Sequence, residues 1–137
     1  EKDHSTVQKR LILLLARLEE PLGWVVFPEQ RIRLQTERYR IPDVCVYLGE
    51  APDEQVFTTP PFLVIEVLSR SDAMIDVREK VSDYRNFGVP HVWIIDPQNR
   101  VALHYTRDGV EEVHDGVLRL TEPALELRLE DVLPPKK

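Results

Sequence analysis

The chain has 137 residues, a formal net charge of −6, 42% hydrophobic residues and 31% charged residues, as is usual for one soluble globular domain. Its longest apolar run, at residues 11–16, is too short to cross a bilayer, so we expect no membrane association. The single cysteine, Cys45, excludes an internal disulfide and fits a reducing compartment, so we expect a cytoplasmic protein. The acidic balance argues against strong, sequence-independent DNA binding unless basic residues cluster or metal ions bridge carboxylates to phosphates.

Hydrophobic periodicity predicts an α/β domain with a mixed sheet. The first half begins with a helix from Thr6 to Glu19, which Pro21 and Gly23 end. Strands follow at residues 24–27, 31–35, 43–48 and 62–68, and the last of these is apolar enough to be central.

The second half begins with a helix from about Ala73 to Phe87, for which Ser69 and Ser71 are candidate N-caps. A buried strand is predicted at residues 92–95. Shorter strands joined by turns are predicted at residues 101–106, 110–114, 117–120 and 125–129.

Glu66 interrupts the otherwise apolar run FLVIEVL at residues 62–68. In a strand it would share a face with Val64 and Leu68, because side chains alternate between the two faces. An unpaired buried carboxylate is costly, so a partner or a metal ion should lie nearby. Two interpretations stay open: a structural carboxylate paired with an arginine, and a functional group.

Lys80 is a second charge where the pattern favours apolar residues. The apolar arc of its helix comprises Met74, Val77, Val81, Tyr84 and Phe87. Lys80 falls inside this arc, and the short connection from the preceding strand can bring it over the sheet near Glu66. Alternatively its side chain extends outward toward Asp76, in a pair worth about 0.2–0.5 kcal/mol. A third interpretation is a structural ion pair between Glu66 and Lys80 alone, which predicts that no metal binds.

Asp43 follows Pro42 at the start of a predicted strand, where on its own it is typical of a turn. Combined with Glu66, it offers carboxylates on adjacent strands, which can bind Mg²⁺ through oxygen ligands. A nearby lysine can orient or deprotonate the attacking water and stabilise charge on a phosphate. Asp43, Glu66 and Lys80 together therefore predict a divalent-metal phosphodiesterase site.

Five short segments occur in a distinctive order: RIPDV at 40–44, VIEVLS at 64–69, Asp76 with Lys80 and Tyr84, GVP at 88–90, and VWIIDP at 92–97. Together they resemble the Uma2-like family of restriction endonuclease domains, a bacterial branch of the PD-(D/E)xK nuclease superfamily. The resemblance covers about residues 4–105. It implies a restriction endonuclease-like core of helix, three strands, helix and strand, within a single domain over residues 1–137 whose residues 106–137 form a C-terminal hairpin extension.

The resemblance also implies an activity and a site. Asp43, Glu66 and Lys80 would be catalytic, and Asp43, Glu66 and the backbone carbonyl of Val67 would bind Mg²⁺, with Mn²⁺ as a substitute. DNA would be the substrate, and no nucleotide cofactor is expected. The usual motif places lysine two residues after the glutamate, where this chain has Leu68, so the resemblance implies that Lys80 has taken over that role. The alternative is an inactive nuclease-fold module that binds nucleic acid or protein.

Basic residues near the predicted site supply candidate DNA contacts. Arg31 and Arg33 lie on one face of their strand, and Arg40 extends the basic stretch. A solvated strand face is the other interpretation. The four histidines show no metal-ligand spacing. Superfamily nucleases that cut both strands often dimerise, so a homodimer stays open, and the C-terminal hairpins could form its interface or cap the sheet.

Overall fold

The computed structural model describes residues 1–136. Its helices are α1 (Lys2–Arg17), α2 (Glu19–Leu22) and α3 (Met74–Phe87). Its strands are β1 (Trp24–Pro28), β2 (Ile32–Gln35), β3 (Arg38–Arg40), β4 (Val44–Leu48), β5 (Leu63–Val67), β6 (His91–Asp96), β7 (Val101–Thr106), β8 (Gly109–Glu112), β9 (Val117–Thr121) and β10 (Ala124–Arg128).

A six-stranded mixed sheet in the order β1-β4-β5-β6-β7-β8 forms the centre of the fold. Strands β5 and β6 are parallel, because α3 carries the chain back between them, and all other neighbours in this sheet are antiparallel. Every residue of β5 is buried, as its nearly continuous apolar sequence predicts for a central strand. The predicted α/β class with a mixed sheet is therefore confirmed.

Helix α1 covers one face of the sheet. Its apolar stripe of Val7, Leu11 and Leu15 is fully buried against the sheet residues of that face. The hairpin formed by β9 and β10 packs into the same core through Leu118 and Leu127. The C-terminal extension therefore completes this side of the core.

Helix α3 covers the opposite face together with the β2–β3 hairpin. Val77, Val81 and Tyr84 of α3 are buried in this second core, as is Ile32 of the hairpin. The helix ends at Gly88, whose φ of 106° lies in the left-handed region that glycine adopts most easily. Because α3 follows β5 so closely, its inner face lies over the face of β5 that carries Glu66.

Several element ends differ from the sequence prediction. Helix α1 begins at Lys2 and not at Thr6, because its first turn is polar and adds nothing to the apolar periodicity. The N-cap of α3 is Ala73, with no side-chain cap. The prediction of Ser69 or Ser71 as the N-cap was therefore wrong, since both lie in the turn that precedes the helix, where the Ser69 N–H donates to Asp72.

Two further differences concern single segments. Met74, predicted in the apolar arc of α3, is 55% exposed in the first turn of the helix. The three-residue strand β3 was not predicted, because RYR lacks an alternating pattern.

Within residues 1–136, no helix is both long enough and apolar enough to cross a membrane.

Candidate active site

The carboxylates of Asp43 and Glu66 lie together where β4 and β5 pair. The antiparallel register sets Val44 opposite Ile65, so Asp43 and Glu66 are neighbours across the two strands. The backbone N–H of Asp43 donates to Glu66 Oε1 at 3.1 Å, and the N–H of Val67 donates to Asp43 Oδ2 at 2.7 Å. Each carboxylate is thus held by the backbone of the other strand.

Glu66 is the one acidic or basic side chain buried in the core of residues 1–136, with 4% of its surface exposed. Its Oε2 accepts a hydrogen bond of 2.8 Å from the hydroxyl of Tyr84 on α3. Burial raises the pKa of Glu66 to about 7, the negative charge of Asp43 contributes to the rise, and Lys80 opposes it. Burial, and then the charge of Glu66, also raises the pKa of Tyr84. Without a cation, Glu66 therefore ionises less readily at this position than in water.

Helix α1 contributes two polar side chains on the Asp43 side. His4 Nε2 lies 3.2 Å from Asp43 Oδ2, and Gln8 Nε2 donates to the backbone carbonyl of Asp43 at 3.0 Å. The two residues are four apart, so they project from the same face of the helix. Sequence reasoning missed both: His4 precedes the predicted start of the helix, and Gln8, inside the predicted helix, is a polar residue that interrupts no apolar pattern. The four-residue spacing of His4 and Gln8 was the available signal.

Lys80 approaches the same place from α3, as predicted. With Glu66 and Tyr84, it lines a cavity of about 380 Å³ that is open to solvent. Among residues 1–136, its ammonium forms no ion pair with any carboxylate. The partner Asp76 considered for Lys80 is therefore not found, and neither is an arginine partner for Glu66. Lys80 is left available to a ligand in the cavity.

The three arginines predicted to contact nucleic acid differ in position. Arg31 lines the cavity, with its guanidinium 4.3 Å above the ring centroid of Tyr39. Arg40 also lines it, but its Nη2 lies 2.7 Å from Oδ2 of Asp83 on α3. Arg33 is exposed and is not part of the cavity wall. Two of the three arginines therefore lie beside Glu66 and Lys80.

The possible metal ligands are few. Among residues 1–136, no group of three or more His, Cys, Asp and Glu side chains is arranged to hold a metal ion. Asp43 and Glu66 supply two carboxylates, and the Val67 backbone lies against Asp43. Mg²⁺ is commonly bound by one or two carboxylates and keeps several waters, so this donor set fits Mg²⁺ better than a metal that needs a full cage of protein ligands.

Comparisons with known proteins agree with the fold. Residues 1–135 match the family model described as "Uma2: Putative restriction endonuclease", and the chain therefore belongs to this family. The crystal structure of a putative nuclease belonging to DUF820 from Anabaena variabilis ATCC 29413 superimposes with a TM-score of 0.80 at 20% sequence identity. The alignment covers 95% of this chain and 79% of that one, and it confirms the nuclease fold. No curated protein sequence matches the chain.

Proposed function

We propose that the chain is a Mg²⁺-dependent endonuclease that hydrolyses DNA phosphodiester bonds with a metal-activated water. One observation carries the proposal: Glu66 and Lys80 line one solvent-open cavity, and among residues 1–136 Lys80 forms no ion pair. The carboxylate of Asp43 lies next to Glu66, held by the backbone N–H of Val67. A buried carboxylate with a raised pKa, next to an ammonium in the same cavity, is the kind of perturbed pair that is common at functional sites.

Asp43 and Glu66 would hold Mg²⁺, with the backbone carbonyl of Val67 as a further ligand, and Mn²⁺ would substitute. A bound divalent ion supplies a water of lowered pKa and neutralises charge on the phosphate. The carboxylates are fixed before any ligand arrives, because the Asp43 N–H and the Tyr84 hydroxyl hold Glu66, and the Val67 N–H holds Asp43. Such outer hydrogen bonds orient metal ligands and tune their basicity.

Lys80 would act on the substrate side of the cavity. Its ammonium can donate hydrogen bonds to a phosphate oxygen or orient the attacking water, and either contact stabilises charge in the transition state. Arg31 and Arg40 line the same cavity and would contact the flanking phosphates. Arg40 would do so while bound to Asp83, which fixes the orientation of its guanidinium.

The test is cleavage of supercoiled plasmid, single-stranded DNA and RNA by purified protein in Mg²⁺, Mn²⁺ or EDTA. We expect DNA cleavage with either metal and none in EDTA. Lys80→Ala should lower the rate roughly 100-fold or more, the range for loss of a group that transfers or positions a proton. Glu66→Gln should abolish metal-dependent cleavage, because it removes a proposed metal ligand. Lys9→Ala removes the same charge from an exposed position of α1 and should cleave like the wild type. Full activity in Lys80→Ala, or in EDTA, would refute the proposal.

The second candidate is a non-catalytic nuclease-fold module that binds nucleic acid or protein. The net charge of −6 favours its protein-binding form over a nuclease, because an acidic chain repels nucleic acid unless cations compensate. Isothermal titration separates the two candidates. A working site should bind Mg²⁺ or Mn²⁺ and lose that binding in Glu66→Gln, whereas the module predicts no metal binding by the wild type.

A further inference from the structure

A second cavity lies away from the candidate active site and shares none of its lining residues. It has a volume of about 860 Å³ and lies between α3 and the adjacent ends of β6 and β7. Two arginines of α3, Arg78 and Arg85, line one wall, and Arg107 of the β7–β8 turn lines the other. We call this cavity the arginine groove.

The charges of the arginine groove are not neutralised. Among residues 1–136, none of its three arginines forms an ion pair with a carboxylate. The one polar contact of the Arg85 guanidinium is a 3.5 Å hydrogen bond to the backbone carbonyl of Arg107. Asp108 is the one acidic residue in the lining. The groove therefore concentrates positive charge on an acidic protein, and it is suited to an anionic ligand.

The spacing along α3 matches a repeating anion. Arg78 and Arg85 are seven residues apart, so they lie on the same side of the helix, about 10 Å apart along its axis. That distance is the rise of about three nucleotides in one strand of a duplex, at roughly 3.4 Å each. Ser82 lies between them and lines the same wall with Asn86, and both side chains can donate hydrogen bonds to phosphate oxygens.

We propose that the arginine groove binds the phosphate groups of a nucleic-acid backbone, as a site separate from the candidate active site. Arg78 and Lys80 are two residues apart, and at about 100° per residue they project from nearly opposite sides of α3. A strand in the groove would therefore be held through its phosphates, away from the carboxylates, and would anchor the substrate without contacting the scissile bond. The assignment of these phosphates to a nucleic acid rests on the proposed function.

The test measures DNA binding in EDTA, where cleavage is not expected. Fluorescence anisotropy with labelled single-stranded and duplex oligonucleotides would compare wild type, Arg85→Ala/Arg107→Ala and the control Arg17→Ala/Arg128→Ala over a salt series. The control removes two exposed arginines outside the groove and leaves the net charge matched. We expect the groove variant to bind at least about tenfold more weakly, with a log–log salt slope smaller by about two. We expect the control to bind within about twofold of the wild type, the small loss of a general charge effect.

Two results would overturn the groove proposal: equal binding by the groove and control variants, or displacement of the oligonucleotide from the wild type by poly-glutamate at the same charge concentration. All four positions are exposed, so the variants should fold, and circular dichroism would check this. Failure of the proposed function would look different. In that case the groove variant would lose binding as expected, but the wild type would cut no substrate with any metal.

Discussion

Glu66 places a proton and a metal ion in competition for one carboxylate. Its pKa of about 7 means that, without a cation, a substantial part of the folded protein holds Glu66 neutral near neutral pH. The Asp43 N–H and the Tyr84 hydroxyl both donate to its oxygens and favour the ionised form, yet burial outweighs them. Metal affinity should therefore rise with pH as Glu66 loses its proton.

The same shift predicts a pH-dependent stability in the absence of metal. In the unfolded chain Glu66 ionises near its ordinary pKa of 4.5, whereas in the folded chain it keeps its proton up to about 7. The folded state thus binds more protons between these values, so the contribution of Glu66 to stability falls as pH rises from about 4.5 to about 7. Glu66→Gln has no ionisable group at this position and lacks this loss. The difference in free energy of unfolding between Glu66→Gln and wild type should therefore increase from about pH 4.5 to about pH 7 and stay constant above pH 7.

Urea unfolding in EDTA at several pH values from 4.5 to 8 measures this difference. Glu66→Gln must be compared with the wild type at each pH, because His91 and His104 change the stability of both proteins with pH in the opposite direction. Burial lowers their pKa values, so their contribution is lost as pH falls. The exposed Glu37→Gln serves as a control and should give a constant difference. A flat difference for Glu66→Gln as well would show that folding does not raise the pKa of Glu66.

From the sequence alone, we could identify those residues of the candidate site whose charge interrupts an apolar pattern. Glu66 and Lys80 could be found because each is a charge on a face that otherwise predicts core. Tyr84 could not, because a tyrosine in an apolar arc predicts burial and says nothing about which group its hydroxyl reaches. His4 could not either, because its contact with Asp43 depends on how α1 docks on the sheet. The catalytic roles of these residues stay predictions.

At the scale of elements, the strength of the local pattern decided what was predictable. The ends of strands β5 and β6 and of helix α3 were predicted to within one residue, because each element combines a clear apolar pattern with end signals. Strand β3 has three residues, and its pairing with β2 is set by tertiary contacts. One of these contacts is Asp83 on α3, whose Oδ2 accepts hydrogen bonds from both Arg38 and Arg40. Burial alone would raise the pKa of Asp83, but these bonds lower it.

Asp83 should therefore be the residue that holds the β2–β3 hairpin against α3 beside the candidate active site. A two-stranded hairpin is marginally stable by itself, so losing this anchor should open it locally without unfolding the domain. In Asp83→Asn we expect about tenfold faster amide hydrogen exchange across β3, since hydrogen bonds to charged groups are the stronger ones. Glu79→Gln is the matched control: Glu79 contacts the same two arginines, but its side chain is 58% exposed. Equal exchange in both variants would assign the anchoring to the apolar contacts of the hairpin.

At the scale of the whole molecule, both faces of the sheet are covered, and the two functional proposals lie on different sides of α3. The C-terminal hairpin was expected either to form a dimer interface or to cap the sheet. Leu118 is fully buried, and Leu120, Leu127 and Leu129 are buried with it in the core on the α1 side. The hairpin thus caps this side of the sheet. Sequence could not distinguish the two outcomes, because an apolar strand face looks the same whether a sheet or a second chain covers it.

This capping predicts a large stability cost for a change far from the candidate active site. Leu118→Ala should lower the free energy of unfolding by about 2–5 kcal/mol, the range for truncating a buried leucine and leaving a cavity. Arg119→Ala is the neighbouring control on the opposite face of β9, with its side chain 52% exposed, and should cost less than about 1 kcal/mol. Urea unfolding with an unchanged m-value would measure both. Because Leu118 packs within its own chain, the decrease in free energy of unfolding in Leu118→Ala should not depend on protein concentration. A loss that shrinks as the concentration rises would instead show that the hairpin is stabilised by a second copy of the chain.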